Sequence, residues 1–505
     1  MNIELFTHNF VITEFDAQEK QYILSFVMRF AETTFDRWGA KVIARTYAAS
    51  TKSRTEFRFH INSFQSFKTH MADRGVTITE ESITEYPIYE AAKVEYGEVS
   101  DPREYQIPII NFNVLDNPRS KLVELQTGKG KTFIALASVA KIGTRFVLAT
   151  KGGFVNRWLK DVAGEDSVLK LPHNDVIVIK GSESLKMIIQ LALTDQLEFS
   201  GILISTNTLN NYYKHYYDND GDMTEYGGLH PVALWALLKV GTLITDEFHM
   251  LLHMNYVREM YNHVPKTINL SATMIPNSPF MKMIHDTLFP PETRAPAVEY
   301  DKYIAVKALF YGIHPDTRDI KCFRNGKYNH TLYEENIMKK PKVLKNYLDM
   351  ITSLVGGIYD AEGRHKPGEK IIVYVSTQEL ATKLTDRFRE IYEDKYVINR
   401  FVSLDPYSNV INSDIIVSTP GSLGTAHDVA DLRYTFLTTA LGKEDTNVQL
   451  LGRLRRLKNN PDVTPEMYYL VNRDIAKHMD YHQRKRDLFK PITLSQLELE
   501  TPHKV

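Results

Sequence analysis

Between Ser120 and Thr273 six short, almost wholly apolar runs alternate with helical patterns, and the same alternation restarts at Ile371. The first set lies at 122–125, 146–149, 176–179, 202–205, 243–245 and 267–270. The second lies at 371–375, 396–398, 415–417, 436–438 and 468–471. A strand that is apolar on both faces must be covered on both, and an intervening helix lets successive strands run parallel. The pattern predicts an α/β chain with two parallel-sheet units in series. Residues 1–95 read as a small mixed α/β accessory domain with an amphipathic stretch near Tyr22–Phe35. The expected division is then 96–290 for the first unit, 291–340 for a connector with a hairpin, and 341–475 for the second unit. A basic tail, 476–505, carries Arg484, Lys485 and Arg486.

At 505 residues there is room for about three domains. With 43% hydrophobic and 24% charged residues the composition is ordinary for a soluble globular protein. A net charge of -1 provides no global pull on a polyanion, so any such binding must come from local patches. The single cysteine, Cys322, rules out an internal disulfide and a multi-thiolate zinc site and fits a reducing compartment. Met1–Leu5 lacks the layout of a secretion signal. The most apolar window, 231–245, is too short to span a bilayer and contains Lys239. A cytoplasmic protein without membrane contact is expected, and the lack of a coiled-coil pattern suggests a monomer.

Thr127-Gly128-Lys129-Gly130-Lys131-Thr132 follows the first apolar run and opens a helical stretch, Phe133 to Ala140. This is the context of a phosphate-binding loop. Amides of the turn and helix N-terminus meet phosphate oxygens, Lys131 reaches the β/γ-phosphates, and the Thr132 hydroxyl binds Mg²⁺. Leu125 stands where such loops usually carry a first Gly or Ala. At the end of another run, Asp246 and Glu247 are placed to hold Mg²⁺ and to polarise a water, with His249 close by. ATP and Mg²⁺ are the implied cofactors. Gln449-Leu450-Leu451-Gly452-Arg453-Leu454-Arg455-Arg456 then supplies two arginines one helical turn apart, Arg453 and Arg456, to neutralise charge developing on a transferred phosphoryl group. Arg455 and Lys458 read as solvated positions.

Taken in order, these segments resemble the motifs of superfamily 2 helicases and translocases over roughly residues 103–475. Arg103, Tyr105 and Gln106 resemble the entry motif, in which the glutamine reads the adenine edge. Phe146–Thr150 with Lys151 and Trp158, and Ile204–Thr206, resemble elements that touch the nucleic-acid backbone. Asp246–His249 resembles the DExH box. Ser271-Ala272-Thr273 resembles the element coupling ATP state to grip. Val375-Ser376-Thr377 and Ile416–Thr419, with Gly424 and Asp428, resemble later motifs, and Gln449–Arg456 the arginine motif. By resemblance, Thr150, Thr206, Thr377 and Thr419 are nucleic-acid contacts, Asp428 belongs to the nucleotide site, and Ser271, Thr273 and Gln449 to the coupling set. Within the superfamily the layout is similar to the phage UvsW-type branched-DNA helicases. That implies an ATP-dependent DNA helicase or translocase for branch migration, fork regression and strand displacement in replication, recombination or repair. It further implies 3′-to-5′ travel and, for a phage protein, the host cytoplasm. An RNA helicase with the same motor is the alternative. A scaffold without turnover is less consistent with the intact motifs, and no clustered carboxylate–lysine signature outside the motor points to a nuclease-associated translocase subunit.

Three stretches bear on nucleic-acid binding. Residues 37–74 hold eight Lys/Arg against Glu56 and Asp73, with aromatics interleaved, including Trp38 and Phe57. The basic residues suit phosphate contact, whereas alternation in 57–61 suits a strand with its phenylalanines in a core. Phe323-Arg324-Asn325-Gly326-Lys327-Tyr328 signals a hairpin, either a duplex-splitting wedge with Phe323 and Tyr328 or an edge hairpin. Tyr212–Tyr217 reads as helix packing rather than base stacking, and Asp218–Asp222 as a solvated turn, since the calcium-loop positions fall on Met223 and Leu229.

Overall fold

The computed structural model describes residues 1–36, 39–78, 82–83, 101–165, 167–272, 278–317, 320–324, 326–361, 367–423 and 429–505. It divides into two compact units, residues 1–125 with 129–298, and residues 126–128 with 299–505.

In the first unit the apolar runs form a six-stranded parallel sheet. Its spatial order is Val176–Ile179, Gly201–Ser205, Phe146–Thr150, Thr242–Thr245, Lys266–Ser271, Ser120–Glu124. Val147, Leu148, Leu203, Ile244 and Ile268 are fully buried, because helices cover both faces. The N-terminal residues build a five-stranded sheet in the order Ala49–Ser50, Phe57–His60, Asn9–Thr13, Asn2–Leu5, Ser82–Ile83. Helix Ala17–Val27 starts at a capping box in which Asp16 and Glu19 exchange side-chain and backbone hydrogen bonds. Phe10, Phe26, Phe57, Phe59 and Phe67 fill the core of this layer.

That layer shares its core with the larger sheet instead of standing apart as an accessory domain. One apolar cluster runs from Ile3 and Phe10 through Tyr256 and Leu288. Polar links reinforce it. The Tyr216 hydroxyl donates to Glu56 at 2.9 Å, and Ser53 donates from its amide and hydroxyl to Asp220 at 2.7 and 2.8 Å. The acidic turn is thus a tether between the two layers. Tyr212, Tyr213 and Tyr216 are buried, and the Tyr213 ring lies parallel to Tyr261 with centroids 5.1 Å apart, so this stretch packs. Arg58, expected within a basic strip, is buried. It donates to Asn9 and Glu56, both at 3.1 Å, and stacks over Tyr261. Arg37 and Trp38 lie outside the described residues.

The second unit is a seven-stranded parallel sheet ordered Ile398–Phe401, Ile415–Ser418, Lys370–Tyr374, Leu432–Leu437, Glu466–Asn472, Ala305–Gly312, Ser495–Lys504. Two of these strands come from segments expected as connector and tail. Ala305–Gly312 is an apolar run flanked on both sides by partners, and Ser495–Lys504 closes the edge beside it. Residues 476–505 are therefore no solvated tail. Lys485 lies on helix Ala476–Phe489 and is buried with its ammonium 4.3 Å from the Tyr469 ring centroid, where burial lowers its pKa to about 7. Among the described residues no helix is long and apolar enough to cross a membrane.

Candidate functional site

Parallel strands point their carboxyl ends the same way, so the loops that leave them gather at one edge of the sheet. In the first unit that edge brings together the loop after Ser120–Glu124 and the segments following Thr150, Ser205, Thr245 and Ser271. Gly128 and Gly130 adopt φ of +87° and +80°, a left-handed backbone that a side chain would strain. At Gly130 a Cβ would also lie 2.6 Å from Gln106 Nε2. Helix Lys131–Ile142 begins directly after this turn, putting Thr132 in its first turn. The Lys131 ammonium donates to the Leu125 carbonyl at 3.2 Å, spanning the loop.

Tyr105 and Gln106 brace the loop from below. The Tyr105 hydroxyl and Gln106 Nε2 both donate to the Lys129 carbonyl, at 3.0 and 3.2 Å, and the Lys129 ammonium sits over the Tyr105 ring. Gln106 is buried, and its Oε1 accepts the Arg103 amide at 2.9 Å. Both of its amide atoms thus bond to the protein, one contact each.

Asp246 emerges at the end of Thr242–Thr245 with its amide bonded to the Ala149 carbonyl at 3.0 Å. Its Oδ2 accepts from Trp158 Nε1 at 2.7 Å and Thr150 Oγ1 at 3.1 Å. Trp158 and Thr150 are 4% and 0% exposed, so they hold the carboxylate in place and do not present side chains to a nucleic-acid strand. Burial, then the neighbouring Glu247 charge, pushes Asp246 up to about 6, against the opposing pull of Trp158, Lys131 and Thr150. Glu247 sits at φ 45°, left-handed for a residue with a Cβ, and its Oε2 lies 3.5 Å from His249 Nδ1. Backbone strain of this kind costs on the order of 1–3 kcal/mol and concentrates where function demands it. His249 Nδ1 is also 2.9 Å from Ser271 Oγ.

The other expected nucleic-acid contacts divide by burial. Lys151 is exposed beside Phe154. Thr206 is 2% exposed at the start of helix Thr206–Asp218, and Thr419 is 9% exposed with its hydroxyl on Ser422 at 2.9 Å. Thr377 is partly exposed, and its side chain caps helix Gln378–Tyr392 by accepting the Leu380 amide at 3.1 Å.

In the second unit Gln449 lies on helix Glu444–Leu451, which stops before the arginines, so Arg453 and Arg456 are not presented on successive helical turns. Leu450, Leu451, Leu454 and Leu457 are buried and pin the extended segment instead. Arg456 pairs with Asp301 through Nη2 at 2.9 Å and Nε at 3.2 Å, and lies over the Tyr303 ring. Asp301 carries no motif signal in the sequence. Neither does Glu334, a fully buried carboxylate whose Oε2 accepts the Ser376 and Thr377 amides at 2.8 and 3.2 Å. Of the two residues proposed as a wedge, Phe323 is 52% exposed, while the Tyr328 hydroxyl is turned inward onto His330 at 2.7 Å. Thr273, Gly424 and Asp428 lie outside the described residues.

The donor set of the first unit fits a nucleoside triphosphate with magnesium: a left-handed glycine, a lysine, a helix-start threonine and one enclosed carboxylate. Among the described residues no group of three or more His, Cys, Asp or Glu could hold a metal by itself. Magnesium bound through one carboxylate, water and substrate phosphates needs no such cage.

No protein-family model and no curated protein matches this sequence. Solved structures do. The fragment of a putative HsdR subunit of a type I restriction enzyme from Vibrio vulnificus YJ016 aligns with a TM-score of 0.51 at 13% identity, covering 96% of this chain and 82% of that one. Mss116p bound to ssRNA and AMP-PNP aligns with a TM-score of 0.51 at 11% identity, covering 79% and 74%. The shared feature is the fold, tandem RecA-like α/β domains. T4 UvsW aligns over 99% of this chain and 100% of that one at 14% identity, but its TM-score of 0.33 is too low to carry a structural likeness.

Proposed function

We propose that the chain is an ATP-dependent motor acting on nucleic acid, with branched DNA as its substrate. The observation that carries this reading is the convergence of Lys131, Thr132, Asp246 and Glu247 at the carboxyl edge of one parallel sheet. ATP bound there supplies the phosphoanhydride bond, and Mg²⁺ neutralises charge on its phosphates. Gly128, Gly130 and the first turn of Lys131–Ile142 offer backbone amides to phosphate oxygens. Asp246, oriented by Trp158 and Thr150, would hold the metal through water, and Glu247 would take the proton of the attacking water. Arg453 and Arg456 would neutralise charge on the transferred group. Thr377 and Lys151 would grip the strand. Fork regression, branch migration and 3′-to-5′ travel are supported by the sequence resemblance to UvsW-type helicases.

The test is the ATPase rate with matched single-stranded DNA, duplex, fork, four-way junction and single-stranded RNA at two salt concentrations, beside Glu247→Gln. Stimulation greatest with branched DNA and lost in Glu247→Gln is the expected result. Stimulation by RNA alone would overturn the substrate, and no stimulation by any polymer would overturn the motor.

A further inference from the structure

The hairpin formed by Phe323–Arg324 and Lys327–Tyr328 is two residue pairs long, and the pairs differ in character. Arg324 stands directly opposite Lys327, and both are exposed. Like charges facing each other across a ribbon repel, so this pair gains nothing for the fold. In the other pair the half-exposed Phe323 ring meets Tyr328 edge-on, with centroids 5.9 Å apart. A ribbon this short has no independent stability in water. What holds it lies underneath.

Tyr328 is the root. Its hydroxyl contacts His330 Nδ1 at 2.7 Å and, very closely, His478 Nε2. The backbone sets the direction of every bond that follows. The Asn472 amide donates to His478 Nδ1 at 3.1 Å, which leaves the imidazole proton on Nε2, facing the Tyr328 oxygen. Burial keeps His478 well below its usual range, and so neutral. The Tyr328 hydroxyl then donates to His330 Nδ1, an atom that also accepts the Ala440 amide at 3.3 Å. His330 therefore carries its proton on Nε2, which makes no hydrogen bond but lies within ion-pair distance, 3.3 Å, of Glu334 Oε1. The Thr438 hydroxyl donates to the same Glu334 oxygen at 3.2 Å. Oε2 takes the Ser376 and Thr377 amides at the start of helix Gln378–Tyr392. A carboxylate is favoured at such a helix start.

We propose that this hairpin is a nucleic-acid-contacting arm, held in register with the Ser376–Thr377 turn by the chain Tyr328–His330–Glu334. Arg324 and Lys327 each bind a backbone phosphate and Phe323 stacks on a base, while the buried chain fixes the distance between arm and turn. The inference rests on the reading of the protein as a nucleic-acid motor. It adds a contact surface and three positioning residues to that reading.

The experiment measures binding of the full chain, without ATP, to fluorescently labelled single-stranded DNA and to a forked duplex across a salt series. Replacing Arg324 and Lys327 together by Ala should weaken binding several-fold and flatten the slope of log affinity against log salt by about 2, roughly one for each lost phosphate contact. Tyr328→Phe keeps the ring and removes the hydroxyl, and Glu334→Gln keeps the shape and removes the charge. Each should weaken binding, and Tyr328→Phe combined with Thr377→Ala should cost less than the two single effects together. Thermal unfolding of each variant separates a folding defect from this coupling, because lost stability alone would leave the two effects additive. Unchanged affinity and slope in the Arg324/Lys327 variant, or strict additivity, would overturn the proposal. If Tyr328→Phe does not fold, the exposed pair decides alone. Binding that changes as expected in a protein that never hydrolyses ATP would sink the motor and leave the arm. Stimulated hydrolysis with wild-type binding by the hairpin variants would sink the arm and leave the motor.

Discussion

His249 Nδ1 lies 2.9 Å from Ser271 Oγ, and the Ser271 carbonyl accepts the Leu125 amide at 3.0 Å. One serine thus touches the acidic box through its side chain and the start of the phosphate loop through its backbone. A shift of either element is transmitted to the other across a single residue. Ser271→Ala should lower strand displacement per ATP hydrolysed, and His249→Ala should do the same. Because both remove one contact, the double variant should be scarcely worse than either single, a coupling of about 0.5–3 kcal/mol. Hydrolysis and displacement measured in parallel decide it; additive losses would refute the link.

Trp158 acts on Asp246 through its indole donor, so Trp158→Phe should raise the Mg²⁺ concentration for half-maximal hydrolysis several-fold. It should leave affinity for single-stranded DNA near wild type. A hydrogen bond to a charged group contributes about 1.5–3 kcal/mol, which bounds the stability loss. Weakened DNA binding with an unchanged Mg²⁺ requirement would restore the contact role first expected of this residue.

Asp246 links stability to pH with a definite sign. Its folded-state value, about 6, lies above the ordinary carboxylate range near ~4. Its contribution to stability is therefore fully present below the unfolded value and is lost as pH rises through about 6. Asp246→Asn cannot ionise, so it should gain stability over wild type at pH 8, on the order of 2 kcal/mol, and show no gain at pH 4. Magnesium affinity of the wild type should move oppositely, strengthening from pH 5.5 to 7.5 as the carboxylate ionises. Denaturation and Mg²⁺ titrations at both ends of the range check the two signs.

The left-handed backbone of Glu247 sets stability against chemistry. Glu247→Gly should relieve the strain and stabilise the fold by about 1 kcal/mol, whereas Glu247→Gln should retain it. Both should lose hydrolysis by at least about 10²-fold, because the proposed general base is gone. Thermal unfolding beside ATPase rates distinguishes them, and equal stability of the two variants would show that the backbone is unstrained.

The Arg456–Asp301 pair is partly exposed, so its stabilising contribution should stay below about 1 kcal/mol. Asp301→Ala should then barely move the melting temperature, while Arg456→Ala should cut stimulated hydrolysis by about 10³-fold. A large melting shift with intact hydrolysis in Arg456→Ala would make this arginine a structural residue.

The sequence by itself determined the two parallel-sheet units, the glycine turn before helix Lys131–Ile142 and the acidic strand end. Each is written locally: the strands as apolar runs of fixed length, the loop as glycines beside a lysine, and the acidic end as carboxylates after four buried residues. Only the tertiary structure decided what depends on distant partners. Trp158 reads as a surface contact until the sheet places Asp246 in reach of its indole. Arg58 reads as a free cation until Glu56 and Asn9 close on it. Lys485 reads as part of a basic tail until its helix packs it against Tyr469. Glu334 sits without distinction in a helix until the Ser376 and Thr377 amides meet its carboxylate. Whether a polar side chain serves solvent, a ligand or another side chain is set by what surrounds it in space. Apart from Glu56, the enclosing groups named here come from residues 16 to 88 positions away, a separation that no local pattern encodes.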